Sequence, residues 1–431
     1  MTGVAAPANG AEPVAPGAVD PGAPRPTWRR NLRVLSAAQF VAVSGMGIVL
    51  PFIPFFVQQL GVTDRAAVER WSGLIFSAPF LAAGLLSPVW GWLGDRFGHR
   101  LMVVRAVFGL AVVNFLCVTV QSPLQFWVLR LLQGVVTGFL PAALAITSAS
   151  TPPAMLPDAM AQLQASAAAG RLVGPALGGV LAGLLPFRQI FVVVGGLVTV
   201  GGVLVVRFLE EPPRDLTTPT PSPAVNFRFA MADGPIRLGL AGLLVSMGAV
   251  SMAMPVFPLF VQDLLGKGRD PAVWTGIGFA VVAAFTIFGA SFVGKVAERH
   301  GLKTVLLAGL GITAVALAAH PLARNIPAML AVRALLGVGV AGMQPALFAM
   351  ISRRAPEGAG GGIQGYASGA SILGFFFGPF TGGWLANRVG VNGVFVVAGA
   401  IALACAAVTA GAAKRRGRDR AIPPILDQLP R

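Results

Sequence analysis

Long apolar runs separated by short polar breaks dominate the chain. Twelve stretches of about 20 or more residues are largely apolar, and each ends at a break rich in charge, Pro or Gly. Because a helix needs about 20 apolar residues to cross a bilayer, the pattern predicts twelve membrane-spanning helices. In the first half the predicted spans are 34–60, 72–93, 101–120, 124–148, 159–185 and 189–208. In the second half they are 237–265, 273–296, 303–322, 326–350, 363–386 and 392–413.

An internal repeat relates the two sets of six spans. The segment Gly170–Gly183 reads Gly-Arg-Leu-Val-Gly-Pro-Ala-Leu-Gly-Gly-Val-Leu-Ala-Gly, and a related segment begins 204 residues later at Gly374. Pro51 and Pro255 are separated by the same offset. A nearly constant offset over separate regions indicates duplication. Since six spans is an even number, the halves are predicted to be parallel repeats, an arrangement typical of secondary transporters with a midplane substrate site.

The repeated segment predicts a packing surface and a bend. At helical spacing one stripe carries Gly170, Gly174 and Gly178, and small residues at this spacing let a second helix approach closely. Proline in the same helix removes an amide donor and bends the backbone. The complete set of predicted hinge and packing residues is Gly170, Gly174, Pro175, Gly178, Gly179, Gly374, Gly378 and Pro379.

Composition places the chain among membrane proteins. It has 431 residues, of which 55% are hydrophobic and 11% charged, and its mean hydropathy is +0.76. The net charge of +16 would suit nucleic acid, but clusters of Lys and Arg in short loops are a topology signal. If the N-terminus is cytoplasmic, 22 of the 32 Lys and Arg lie inside, seven lie in outside loops and three lie within spans. We therefore predict a multi-pass inner-membrane protein with both termini cytoplasmic.

Polar segments divide the chain into five parts. Residues 1–33 are expected to be a disordered cytoplasmic tail, because their start is rich in Ala, Pro and Gly. Residues 34–208 and 237–413 are the two predicted six-helix bundles. Between them, 209–236 is a predicted cytoplasmic linker, and 414–431 a basic cytoplasmic tail.

The loop after the second span carries the most specific motif. It reads Gly-Trp-Leu-Gly-Asp-Arg-Phe-Gly-His-Arg over Gly91–Arg100, and Arg-Leu-Leu-Gln-Gly follows over Arg130–Gly134. Together with the Gly-Pro-X-X-Gly-Gly element in span five, these motifs resemble those of the major facilitator superfamily, and of its twelve-span bacterial drug:proton antiporters. The resemblance covers about residues 30–413 and implies an all-α membrane fold of two six-helix bundles. It also implies a small-molecule substrate, exchange for protons, no cofactor and a monomer.

The resemblance gives the loop motif a mechanical role. The residues expected to form a conformational switch are Gly91, Asp95, Arg96, Gly98 and Arg100. At a helix end, the Asp95 carboxylate can face the positive N-terminus of another helix or pair with an Arg. The family implies that this motif stabilises the outward-facing state. For the basic residues, the alternative is a simple positive-inside anchor.

Three arginines fall inside predicted spans. A central Arg is costly in a bilayer, so Arg130, Arg171 and Arg333 are expected to face a water-filled cavity, or else to snorkel to the boundary. The family layout would let their helix faces converge. The predicted cavity residues are Gln39, Met46, Arg130, Gln133, Gln164, Arg171, Met247, Arg333, Gln344 and Tyr366.

No Asp or Glu lies well inside any predicted span, although the resemblance implies a membrane-embedded carboxylate as proton carrier. The candidates left for proton coupling are Asp95, Asp158 and Arg130, the last only by tuning a neighbour, since Arg does not titrate at physiological pH. A cavity with positive side chains and no carboxylate should disfavour lone cations and tolerate neutral or anionic amphipaths.

These observations favour an exporter of small amphipathic compounds that works by alternating access. Exchange or export of an anionic or lipid-like metabolite is a second possibility, suggested by the embedded arginines. A non-transporting sensor or scaffold would belong to another class, but two full motif sets count against it. The sequence shows no nucleophile–base pair and no His or Cys at metal spacing, so neither an enzyme nor a metal site is predicted.

Overall fold

The chain folds into twelve long helices and one short linker helix, with no strand among the described residues. The computed structural model describes residues 27–152, 155–211, 223–266, 270–354 and 360–416. In the first half α1 comprises Thr27–Val49, Leu50–Phe52 and Ile53–Gln59, α2 is Arg65–Phe97, α3 is His99–Cys117, α4 comprises Pro123–Val136 and Phe139–Ser150, α5 is Leu156–Leu184 and α6 is Phe187–Phe208. In the second half α7 comprises Gly234–Met252 and Phe257–Leu265, α8 and α9 share Ala272–Ala319, α10 is Ile326–Ser352, and α11 and α12 share Gly360–Arg416.

Glycines with positive φ mark the points where the chain turns between or within helices. Gly301 (φ 82°) divides α8 from α9, and Gly390 (φ 72°) divides α11 from α12. In α4 the break comes at Gly138, with φ 134°. Glycine has no Cβ to oppose these angles, so it is the residue that fits all three places.

The helix bounds confirm the all-α class and shift several predicted borders. Because α1 begins at Thr27, residues 27–33 belong to the first helix rather than to the predicted tail of 1–33. The predicted linker of 209–236 contains a helix, Pro223–Ala232, and the start of α7. Residues 1–26, 212–222 and 417–431 lie outside the described part, so the remainder of those predictions is not tested.

Within each half, the glycine stripe holds two helices in backbone contact. A Cβ placed on Gly174 of α5 would lie 2.6 Å from the carbonyl oxygen of Ser44 in α1, and one on Gly178 would lie 2.6 Å from that of Ile48. In the second half, a Cβ on Gly374 of α11 would lie 2.7 Å from the carbonyl oxygen of Leu244 in α7. The stripes therefore hold α1 on α5 and α7 on α11, as the small-residue pattern predicts.

Candidate functional site: the cleft between the two halves

Two glycine contacts join the halves along the edges of the cleft. The Cβ of an alanine at Gly276 in α8 would lie 2.6 Å from the Pro175 carbonyl oxygen and 2.8 Å from the Gly179 Cα, both in α5. Its pseudo-symmetric equivalent at Gly73 in α2 would lie 2.6 Å from the Pro379 carbonyl oxygen in α11. The repeated Gly-Pro segment thus has two packing faces, one within its own half and one across the seam.

Polar groups close the same end of the seam, which we call the closed end and define as the end where α2 and α8 begin. Arg65 at the start of α2 donates two hydrogen bonds to the carboxylate of Asp263 in α7, at 2.7 and 2.6 Å. Near the end of α1, the Gln58 Nε2 donates a hydrogen bond to Oε1 of Gln262 in α7 at 3.4 Å. A bidentate Arg–carboxylate pair is the most directional ion pair a protein can form, so it fixes the register of the halves.

Glu69 lies directly behind this pair. Its side chain is 6% exposed, and its Oε1 accepts from the Arg65 Nε at 3.3 Å. Burial raises the pKa of the Glu69 carboxyl, and the Arg65 guanidinium offsets that rise only in part. The residue precedes the predicted span of 72–93, and α2 begins seven residues before that span, at Arg65. Reading Glu69 as part of an outside loop is why the sequence did not identify it.

The opposite end of the cleft, where α1 begins and α12 ends, is open among the described helices. Towards it, the α11 stripe that contacts α2 continues to Gly369 and Gly365, and a Cβ on either would meet nothing within 4 Å. On the facing helix, Trp92 is 57% exposed. The described helices therefore enclose a wedge that is shut at the closed end and wide at the terminal end.

The two edges of the cleft differ at mid-depth. On the α2–α11 edge, Phe80 stacks on Phe375 with ring centroids 5.4 Å apart. The repeat places Arg171 of α5 at the position of Phe375 and Ala283 of α8 at that of Phe80. Arg171 is exposed, and the small side chain of Ala283 offers no ring to stack against it. One edge is thus filled by two rings, whereas the other carries a cation and a small side chain.

Arg130 is buried inside the first half rather than facing the cleft. Its side chain is 2% exposed, and its Nη1 donates to Oε1 of Gln133, which is itself 5% exposed. The sequence predicted that Arg130 either faces a water-filled cavity or extends to the membrane boundary, and its buried position inside the bundle matches neither. The helical wheel put Arg130 and Gln133 on one face, but that face points into the six-helix bundle.

Arg333 occupies the matching position in the second half. It is 4% exposed, and its guanidinium lies 3.4 Å from the ring centroid of Phe257 and 4.9 Å from that of Phe279. Ring faces stabilise a desolvated cation by about 2 kcal/mol or more, so aromatic packing rather than water accommodates this charge. The prediction that Arg333 lines the cavity does not hold in this conformation.

The remaining predicted cavity residues divide by exposure. Gln39 and Met247 are 4% and 3% exposed, so both belong to the interior of their halves. Gln164 and Gln344 are exposed, and Met46 and Tyr366 are half-buried. The ring centroid of Tyr366 lies 5.6 Å from that of Phe227 in the linker helix, with the two rings tilted by 55°. Of the coupling candidates, Asp158 is exposed at the open end.

The loop motif is attached to α6 by charges at helix ends. The Glu211 carboxylate accepts from the backbone N–H groups of His99 and Arg100, at 2.9 and 2.6 Å, and so caps the N-terminus of α3. In return, Arg100 donates to the carbonyl oxygens of Val206 and Leu209 at the end of α6, both at 2.7 Å. Each charge complements the dipole of the helix it caps.

The other switch residues are only partly described. Gly98, with φ 107°, ends α2, and the Arg96 guanidinium lies 5.6 Å from the ring of Trp92. The side chains at Gly91 and Asp95 lie outside the described part of the chain, so the predicted latch role of Asp95 stays a prediction. Glu211 was missed because it sits in the predicted linker.

Metal and cofactor chemistry have no visible basis in the described residues. No group of three or more His, Cys, Asp or Glu is placed to hold a metal ion there. Cys117 and Cys405 are both buried and free.

Two parallel-related bundles of six membrane-crossing helices, closed on each other at one end and open at the other, define a secondary transporter. A family model described as Major Facilitator Superfamily matches residues 35–297 and 242–428. The chain belongs to this superfamily, which confirms the predicted fold, the multi-pass membrane placement and the prediction that it is not an enzyme.

Similar curated proteins span almost the whole chain. The Multidrug resistance protein MdtG of Enterobacter lignolyticus (strain SCF1) is 29% identical over 392 residues, covering 90% of this chain and 94% of the relative. MdtG of Proteus mirabilis (strain HI4320) is 28% identical over 380 residues, or 87% of this chain and 94% of the relative.

Solved structures agree with the fold. A bacterial homologue of the human lysosomal transporter Spinster, in an inward-facing and unoccupied conformation, matches with a TM-score of 0.75 at 15% identity, over 93% of this chain and 100% of its own. The human organic anion transporter MFSD10 matches with a TM-score of 0.66 at 17% identity, over 89% of this chain and all of its own. At these identities the likeness concerns the fold alone.

Proposed function

We propose that the protein exports small amphipathic, drug-like compounds across the inner membrane in exchange for protons. The observation that carries the proposal is the open wedge between two repeated bundles, in a chain whose MdtG relatives are named multidrug resistance proteins and align over 94% of their length.

The proposed orientation follows from charge. Both termini are cytoplasmic, because the breaks on that side hold 22 of the 32 Lys and Arg. The wide end of the wedge then faces the cytoplasm and the closed end faces outward, so the conformation is inward-facing. Compounds would enter from the cytoplasm, and separation of the closed end would release them. We propose that one chain suffices for this cycle, since the cleft lies wholly between its own halves.

A susceptibility profile tests the export role directly. Cells that express the chain, compared with cells that carry a Gly276→Leu variant, should survive higher concentrations of several unrelated amphipathic compounds. The leucine side chain cannot fit against the Pro175 carbonyl oxygen and the Gly179 Cα, so it blocks the α5–α8 contact. Equal survival of both strains over a broad compound panel would contradict export.

Arg171 favours a second candidate, transport of an anionic or lipid-like compound. It is the exposed member of the three span arginines, and its repeat counterpart is Phe375, so its charge is not required by the shared architecture. An exposed guanidinium presents a planar fork of N–H donors that matches carboxylate and phosphate groups, so Arg171 favours a ligand with an anionic head. We expect Arg171→Gln to reduce flux of anionic compounds more than of neutral ones. An equal reduction for both would assign Arg171 a structural role.

A further inference from the structure

Glu69 is a buried acidic side chain that lies at the seam between the two halves. Three helices meet around it. It shares Arg65 with Asp263 of α7, and a Cβ on Gly383 of α11 would lie 2.5 Å from the Glu69 carbonyl oxygen and 2.8 Å from the Gly73 Cα. Because α7 and α11 belong to the other half, opening the seam must expose the Glu69 carboxyl to the outer solution.

The charges that act on Glu69 come from two helices. Arg65 lies in the same helix as Glu69, and Asp64 caps that helix. Asp263 comes from α7, whereas α11 presents only glycine backbone at the contact. Arg65 commits both Nη atoms to Asp263 and reaches Glu69 only through Nε at the longer distance of 3.3 Å. Because Asp263 pairs with both Nη atoms of this guanidinium, the carboxylate of Glu69 is a second negative charge beside one cation, on a side chain that is only 6% exposed.

From this arrangement we infer that Glu69 binds a proton from the outer solution while the seam is open, that its protonation allows the closed end to shut, and that the proton returns to the outer solution when the seam reopens. When the seam is open, the carboxylate accepts one proton from the outer solution and becomes a neutral carboxyl. Shutting the seam then buries a neutral group beside the Arg65–Asp263 pair. The inference deepens the proposed proton exchange and rests on it for its role in transport, but the conformational step can be measured without any substrate.

The direction of the pH dependence follows from burial. In the shut seam the pKa of Glu69 lies above the ordinary value of 4.5, whereas solvent contact in the open seam brings it back towards that value. The proton thus stabilises the shut state. This stabilisation is complete below the ordinary pKa and is lost as the pH rises through the raised one. Within that window the shut-to-open ratio should change by up to about tenfold per pH unit.

A pair of spin labels reports the closed end. We would place them at Gln121→Cys and Arg324→Cys, two exposed positions related by the repeat in the loops before α4 and α10, after replacing Cys117 and Cys405 by Ala. The distance between the two labels is then measured in the full chain in lipid nanodiscs by double electron–electron resonance, between pH 8 and pH 4.5. We expect the short-distance, shut population to grow as the pH falls.

The decisive variant is Glu69→Gln, which mimics the protonated side chain. It should hold the shut population high at every pH, and the matched control Glu298→Gln, an exposed carboxylate at the open end, should keep the wild-type pH response. An unchanged pH response in Glu69→Gln would overturn the inference. So would a wild-type distance distribution that is the same at pH 8 and pH 4.5, which requires no variant at all. If the wild-type chain exported no compound but its distance distribution still depended on pH, the proposed function would be contradicted and Glu69 would stand as a proton-binding site.

Discussion

Substitution of Gly276 by alanine should open the closed end. The added Cβ would lie 2.6 Å from the Pro175 carbonyl oxygen, whereas ordinary contact begins at 3.4 Å, so α5 and α8 must separate by about 0.8 Å. The obstructing atoms are backbone, which has no rotamer with which to yield. Overpacking of this kind costs about 1–3 kcal/mol. Since the cost falls on the shut state alone, the shut-to-open ratio should drop about 5- to 150-fold.

The label pair at positions 121 and 324 measures this shift, because an open seam lengthens the distance between its two loops. The gain in helix propensity from Gly to Ala is present in both states and cancels. Gly294→Ala is the matched control: it lies on the same helix, and its Cβ would meet nothing within 4 Å. If the two variants gave the same distance distribution, the glycine contact would not be what holds the seam shut.

Two further predictions concern the charged groups. Arg65→Gln should lower the shut-to-open ratio only about 1.4- to 5-fold, because the pair with Asp263 is about half exposed and such pairs contribute about 0.2–1 kcal/mol. The double variant Arg65→Gln/Asp263→Asn should show no further loss. Additive losses would show that the two residues act separately. Glu211→Gln should lower the thermal unfolding midpoint, since a lost helix cap costs about 0.5–2 kcal/mol, while Glu298→Gln should not; equal midpoints would contradict the capping role.

Most of the helix packing that could be predicted came from the internal repeat of the sequence. Spacing alone placed Gly170, Gly174 and Gly178 on a packing stripe, and the stripe contacts α1 as expected. A nearly equal offset of 203 residues also relates Gly73 to Gly276, two glycines that no local motif singles out. Their importance depends on which helices of the two halves touch, and that is a property of one conformation rather than of local pattern.

Buried charge was the harder problem. A helical wheel shows that Arg130 and Gln133 share a face, but it does not tell whether that face points to the centre of the molecule or into one bundle. Nor does hydropathy reveal that the rings of Phe257 and Phe279 would replace water around Arg333. Glu69 escaped for the opposite reason, because it lies outside every apolar stretch and is buried by helices from the other half.

Proton-driven export is the central claim, and flux in sealed vesicles tests it most directly. The purified chain is reconstituted in vesicles with its open end facing the external solution. A fluorescent amphipathic dye is added outside, and the vesicle lumen is made acidic. We predict that the dye accumulates in the lumen, that collapsing the pH gradient stops the accumulation, and that Glu69→Gln, which holds the closed end shut, prevents the accumulation. Accumulation that proceeds equally with and without the gradient would contradict proton exchange.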